Sequence, residues 1–101
     1  LEDYDYLCLW SFYIEGKIVR AKDVHHIVEI TDDNTKAYDY DNLIPLEEGV
    51  HRPFIHNLYK INKEYIQNLL RDMLKAYQEE DFTLGKFKDR QYPPTIKKYR
   101  L

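Results

Sequence analysis

One long apolar stripe in the second half of the chain constrains the fold most strongly. Apolar and aromatic side chains recur there at spacings of three and four residues, the period of one face of an α-helix. They are Tyr65, Ile66, Leu69, Leu70, Met73, Leu74 and Tyr77. Asn62, a favourable N-cap residue, precedes them, so we predict a helix over about residues 62–80 with its apolar face in the core. In a chain of 101 residues, this helix would support a single small domain.

The first half of the chain has strand character instead. Residues 24–30 are rich in Val and Ile and predict a β-strand. Residues 31–42 are rich in Asp and Asn and predict a polar loop. Residues 43–46 predict a short edge strand, since Pro45 has no N–H to donate to a neighbouring strand. Two strands and a long helix together predict an α+β fold.

Two further elements flank the strands. Aromatic and apolar residues fill positions 4–14, and Glu15-Gly16 offers a turn after them, so we predict a short hairpin or knuckle there. Residues 50–60 predict a short helix with Pro53 in its first turn, where the missing N–H would have no helical partner anyway.

The charge of the chain is unevenly distributed. The net charge is −3 and the pI about 5.8, which taken alone argues against a polyanionic partner. Residues 85–101, however, carry six basic and one acidic side chain, or +5, so residues 1–84 carry −8. Pro93 and Pro94 lie in the same segment, and we therefore expect a basic, extended tail rather than a packed element. A solvated linker is the alternative.

Cysteine content and hydropathy bear on the compartment. Cys8 is the single cysteine, which excludes an intrachain disulfide. No apolar run approaches the roughly 18 residues that a membrane-spanning helix needs, and no signal-peptide pattern opens the sequence. We expect a cytoplasmic protein without a membrane partner. The first residue is Leu1 rather than Met, so we also expect a fragment, with other domains or subunits outside it.

The histidines are the residues best suited to chemistry. All four lie within 32 residues, at His25, His26, His51 and His56, and imidazole is the commonest metal ligand. Neighbours on a strand point to opposite faces, so His25 and His26 would take different roles, one on a metal and one accepting a proton. His51 and His56 are five apart, a poorer spacing for one helix face than three or four. One histidine would be an ordinary core or surface residue, but four so close together favour a site.

Residues 24–56 resemble the HNH endonucleases. The resemblance rests on Val-His-His-Ile at 24–27, on Asp-Asn-Leu-Ile-Pro-Leu at 41–46, and on the eight residues that separate Asn42 from His51. It extends over roughly residues 5–60 and implies a ββα-metal (His-Me finger) core. The N-terminal knuckle and a C-terminal helix would be added to this core. The nuclease domain would then occupy residues 1–84 and the basic tail residues 85–101.

The resemblance implies a role for each matching residue. The family hydrolyses DNA phosphodiester bonds with one divalent ion, which here could be Mg, Mn, Ni or Zn. His25 matches the ligand on the first strand, and His51 the ligand on the helix. His26 matches the general base, and Asn42 the residue that holds the loop and orients this base. His56 could be a further ligand, could touch a phosphate, or could do neither.

Basic residues supply candidate DNA contacts. Arg52 follows His51 and could hold the scissile phosphate through two hydrogen bonds. The remaining candidates are the basic residues of the tail: Lys86, Lys88, Arg90, Lys97, Lys98 and Arg100.

The sequence departs from many relatives at a second metal site. Those relatives carry two Cys-x-x-Cys pairs that bind a structural zinc, whereas here Cys8 pairs with Ser11, and Glu47 with Val50. One thiolate cannot complete a tetrahedral zinc site, so we expect no structural zinc. Apolar packing would replace it, through Trp10, Phe12, Tyr13 and Val50.

Two other interpretations remain open. The chain could be a non-catalytic metal- or DNA-binding module of a larger protein. It could also be a structural metal domain that uses His25, His51, His56 and Cys8, in which case removal of the metal would unfold it.

Overall fold

Two short strands and one long helix make up the regular structure. The computed structural model describes residues 7–28, 42–49 and 54–92. In chain order, the elements are a one-turn π-helix (Ser11–Glu15), β1 (Asp23–His26), β2 (Leu43–Leu46), α1 (His56–Gln78) and a 3₁₀ turn (Lys88–Arg90). The predicted α+β class is therefore confirmed at the level of a two-stranded antiparallel sheet and a helix.

The two strands pair antiparallel over their full length. The register sets His25 opposite Ile44 and His26 opposite Leu43. Alternation along the strands sends His25, Ile44 and Leu46 into the core. The prediction of a strand at 43–46 is confirmed, while β1 ends at His26, earlier than the predicted residue 30.

The N-terminal segment forms a knuckle. Leu7 and Arg20 make one antiparallel bridge, and the helical turn Ser11–Glu15 lies between them. Gly16 ends this turn with φ of 68°, a left-handed conformation that glycine adopts without steric cost. Within residues 7–28 the segment is thus a knuckle closed by a single bridge, the second of the two predicted forms.

Helix α1 consists of two segments that meet at Asn62. This residue has φ −160° and ψ 87°, outside the helical region, and its Oδ1 accepts a hydrogen bond from the Tyr65 N–H at 3.1 Å. Asn62 is thus the predicted N-cap of the long segment, residues 63–78, and it follows a short helical segment, residues 56–61. The helix ends at Gln78, close to the predicted residue 80.

The core forms between the apolar stripe of α1, the sheet and the knuckle. Stripe residues that are buried include Ile66, Leu69, Leu70 and Met73. The expected knuckle side chains Trp10, Phe12 and Tyr13 are buried with them, and Trp10 packs edge to face on Phe54 with ring centroids 5.5 Å apart. Val50 lies outside the described residues.

The beginning of the basic tail is packed. The Gly85 N–H donates to the Phe12 carbonyl at 2.9 Å, and the Phe87 N–H donates to the Tyr13 carbonyl at 2.8 Å. The Phe87 ring also lies 5.5 Å from the Tyr13 ring. The expectation of an extended arm is therefore wrong for residues 85–92. The charge count that suggested it gave no weight to Phe87, whose ring packs against the core.

Replacing the helix cap tests this description of α1. We predict that Asn62→Ala lowers the free energy of unfolding by about 1 kcal/mol, since the Tyr65 N–H loses its acceptor. Asn57→Ala, at an exposed position of the same helix, is the matched control and should stay within about 0.5 kcal/mol of the wild type. Urea denaturation measures both, and equal losses in the two variants would contradict the capping role.

Alkaline pH tests the burial of Tyr13 in the knuckle. The Tyr13 hydroxyl donates to the Asp81 carbonyl at 2.6 Å. Burial, with a smaller contribution from the Asp81 charge, raises the pKa of Tyr13 to about 12, whereas an unfolded tyrosine has a pKa of about 10. The folded state therefore keeps a proton that the unfolded state loses, and stability should fall as pH rises from about 10 to about 12.

Tyr13→Phe removes this titrating group, so we expect the stability of this variant to depend less on pH between about 10 and about 12. Tyr92→Phe, at an exposed position, is the control and should retain the wild-type dependence. Thermal melts at successive pH values measure the difference. A Tyr13→Phe profile parallel to that of the wild type would contradict the assignment.

Candidate functional site

His25 occupies the buried side of β1 beside α1. Only 2% of its surface is exposed, and its Nε2 lies 3.0 Å from the Tyr59 hydroxyl. The His56 ring stands perpendicular to it, with centroids 5.8 Å apart. His26, the next residue, is only half-buried, as expected for a side chain on the opposite face of the strand. The adjacent histidines thus have the two different environments that the sequence predicted.

Ile27, the residue after His26, is held by both segments of α1. The Ile27 carbonyl accepts a hydrogen bond from the Tyr59 hydroxyl at 2.6 Å and a second from Gln67 Nε2 at 2.9 Å. Tyr59 comes from the short segment and Gln67 from the long one. Both possible acceptor positions of this carbonyl are therefore used, and the end of β1 is fixed relative to the helix.

Sequence reasoning assigned no role to Tyr59 or Gln67. A signal existed for Tyr59, because it lies three residues after His56 and shares its helix face. Gln67 carried no comparable signal, since its contact depends on where the long segment crosses the strand.

Asn42 joins the two ends of the connection between the strands. Its side chain is buried, with 4% exposed. Its Oδ1 accepts the Val28 N–H at 2.7 Å, and its Nδ2 donates to the Val28 carbonyl at 3.0 Å. The Asn42 carbonyl in turn accepts the Ile27 N–H at 2.9 Å. The amide therefore holds the backbone at the far end of this connection, as the family resemblance implied, while its part in orienting His26 stays a prediction.

Two of the four predicted histidines meet at the sheet–helix junction. His56 begins α1 and is exposed. Two imidazoles that bind one ion through Zn–N bonds of about 2 Å have centroids about 5–6 Å apart, so the separation of His25 and His56 fits such a pair. Residues 7–28, 42–49 and 54–92 contain no group of three His, Cys, Asp or Glu side chains that could hold a metal. His51 and Arg52 lie outside these ranges, so their roles as a metal ligand and as a phosphate contact stay predictions.

Two of the basic candidates have acidic partners within the chain. Lys86 Nζ lies 2.8 Å from Asp81, and Arg90 Nη1 lies 2.8 Å from Asp72. The hydrogen bond from Lys86 is the main reason that the pKa of Asp81 is below its usual value. Lys88 is exposed. Lys97, Lys98 and Arg100 lie outside the described residues, and a role of these six residues in binding DNA stays a prediction.

Arg90, Asp72 and Tyr65 form a cluster on a different side of helix α1 from the histidines. Arg90 contacts Asp72 and the Tyr65 ring, and these two positions, seven apart, share one flank of α1. Gln67, which contacts the strand end, is two residues from Tyr65 and is therefore rotated by about 200° around the helix.

No protein-family model, no curated protein and no solved structure matches this chain. Within the part of the chain that the structure describes, no helix is both long enough and apolar enough to cross a membrane.

The bridge made by the Asn42 amide can be tested by substitution. We predict that Asn42→Ala lowers the free energy of unfolding by about 1–3 kcal/mol, since the Val28 N–H and carbonyl both lose their partner. Asn42→Asp should cost at least as much, because a carboxylate would then face the Val28 carbonyl. Hydrogen exchange at the Val28 amide should accelerate in Asn42→Ala, which removes the acceptor, and less in Asn42→Asp, whose carboxylate can still accept this N–H.

Asn68→Ala is the matched control, because its side chain makes only a surface contact with Arg71. It should change stability by less than about 0.5 kcal/mol. Unchanged protection of the Val28 amide in Asn42→Ala would contradict the bridging role.

Proposed function

We propose that this chain is a metal-dependent endonuclease of the HNH class, with a ββα-metal core, that hydrolyses DNA phosphodiester bonds. The observation that supports this most is the different placement of two adjacent histidines. His25 is buried beside His56 of the helix, while His26 is half-buried on the other side of the strand. One imidazole is thus near a second possible ligand, and its neighbour is separated from it.

The contacts around β1 suit a proton acceptor at His26. The preceding residues are held in the sheet, with His26 opposite Leu43. The next residue, Ile27, is held by three hydrogen bonds. Its carbonyl accepts from Tyr59 and Gln67, and its N–H donates to the Asn42 carbonyl. The backbone at His26 is therefore fixed on both sides, and a general base needs such fixed placement within hydrogen-bond reach of water.

The proposed reaction divides the work among the histidines. His25 and His51, with His56 as a possible third, would hold the divalent ion as neutral ligands that leave its charge intact. The ion would supply charge stabilisation at a phosphate oxygen and at the leaving oxygen. His26 would accept a proton from the attacking water, whose oxygen bonds to phosphorus as the bond to the 3′ oxygen breaks. The 3′ oxygen would take a proton from solvent water as it leaves, so the products would carry a 5′-phosphate and a 3′-hydroxyl.

The charge distribution is compatible with a DNA partner. The described residues carry ten basic and ten acidic side chains, so their net charge is zero. The acidic surplus of the chain resides in segments 1–6 and 29–41, which together hold eight acidic residues and one basic residue. The chain average of −3 therefore does not describe the sheet and helix that carry the histidines.

A nicking assay tests the proposal. Supercoiled plasmid is incubated with the full chain and with Mg²⁺, Mn²⁺, Ni²⁺ or Zn²⁺ in turn. We expect at least one metal to support cleavage, and His26→Ala to reduce the rate by about 10²–10⁴-fold, the usual contribution of a general base. Lys75→Ala, at an exposed position near the end of α1, should cleave like the wild type.

Equal cleavage by the wild type and His26→Ala with every metal would contradict the proposal. Metal or DNA binding without any cleavage would instead indicate a non-catalytic binding module. Unfolding on treatment with a chelator would indicate a structural metal domain, since a nuclease of this kind should lose activity but keep its fold.

A further inference from the structure

Tyr59 connects the buried histidine to the backbone behind the proposed base. Its side chain is 7% exposed, and its ring lies edge to face with the His25 ring, with centroids 5.5 Å apart. We propose that Tyr59 is a positioning residue that keeps His25 with its proton on Nε2, so that Nδ1 is the nitrogen through which His25 binds a metal. The position of the proton follows from the structure alone, whereas metal binding through Nδ1 rests on the proposed function.

The position of the proton follows from counting donors. The Tyr59 hydroxyl has one proton, and its oxygen lies 2.6 Å from the Ile27 carbonyl oxygen. A carbonyl can only accept, so the hydroxyl proton must lie between these two oxygens. The Tyr59 oxygen also lies 3.0 Å from His25 Nε2. With its own proton already used, it can only accept there, and His25 Nε2 must therefore carry a hydrogen.

The surrounding contacts make this arrangement difficult to reverse. If Nε2 lost its proton, Tyr59 would have to turn its hydroxyl towards His25 and abandon the Ile27 carbonyl. That carbonyl would retain only the Gln67 donor, and the Tyr59 ring is buried, which limits its movement. The hydroxyl therefore favours one tautomer of His25 over the other.

The tautomer decides how His25 can bind a metal. A nitrogen that carries a proton has no lone pair to offer, so in a neutral ring only Nδ1 can coordinate. Metal-binding histidines commonly donate their other N–H to a protein acceptor, which fixes the ring and raises its basicity. The Tyr59 oxygen, itself polarised by donating to Ile27, would be that acceptor for His25.

The first measurement needs no metal and no activity. Long-range ¹H–¹⁵N spectra of the full chain, recorded at about pH 8, where an ordinary imidazole is neutral, distinguish protonated from unprotonated ring nitrogens. The resonances of His25 are those absent from His25→Gln. We expect a protonated Nε2 whose hydrogen exchanges slowly with water, and at least tenfold faster exchange in Tyr59→Phe. A proton on Nδ1 in the wild type, or unchanged exchange in Tyr59→Phe, would overturn the inference.

The second measurement is the affinity for Zn²⁺ or Ni²⁺ by calorimetry. Tyr59→Phe should bind about 10–100-fold more weakly than the wild type, the usual cost of removing a partner of a metal-binding histidine. Tyr65→Phe is the matched control: it removes a hydroxyl from the same helix, one that donates to the Arg90 carbonyl instead, and it should bind like the wild type. Equal affinity of Tyr59→Phe and Tyr65→Phe would overturn the positioning role.

The two measurements separate failure of this inference from failure of the proposed function. If the wild type binds neither Zn²⁺ nor Ni²⁺ and cleaves plasmid with none of the four metals, the proposed function fails, and the tautomer and exchange rate of His25 still decide the role of Tyr59. If the wild type binds metal but His25 carries its proton on Nδ1, the inference fails while the proposed function stands.

Discussion

The hydrogen bonds that converge on residues 27 and 28 set the position of the sheet, and of the histidines on it, relative to helix α1. Two strands of four residues each are too short to be stable as an isolated hairpin. Here the backbone just after β1 is tied to β2 through Asn42 and to both segments of α1 through Tyr59 and Gln67. The sheet is therefore positioned by side chains that are themselves fixed in the core, and the histidines of β1 take their places from it.

The kink at Asn62 allows Tyr59 and Gln67 to donate to the same carbonyl, that of Ile27. A single straight helix would carry Tyr59 and Gln67, eight residues apart, along one continuous axis. The non-helical backbone of Asn62 instead lets the short segment present His56 and Tyr59 to the sheet, while the long segment buries its apolar stripe and still reaches Ile27. The cap that the Asn62 side chain provides offsets part of the cost of this break, because it satisfies an N–H that the new helix start would leave without a partner.

Sequence reasoning succeeded where one local property dominated. The period of the stripe and the cap at Asn62 predicted the long helix, and Pro45 with its apolar neighbours predicted β2. The loop-holding role of Asn42 came from the family resemblance instead, since the spacing alone equally allowed a simple turn residue before the strand. The packing of residues 85–92 was not predicted, since it depends on where Phe87 meets Tyr13 across the domain. The contacts of Tyr59 and Gln67 also depend on the angle between helix and sheet, which no local pattern encodes.

The most direct measurement is the anomalous scattering of a bound metal. Crystals of the full chain grown with Zn²⁺ would be measured on both sides of the zinc absorption edge. The proposed site predicts one peak at about 2.0–2.1 Å from His25, with His51 as a further ligand and with His26 outside bonding distance. A peak bound to His26, or no peak near His25, would contradict the division of roles between the two adjacent histidines.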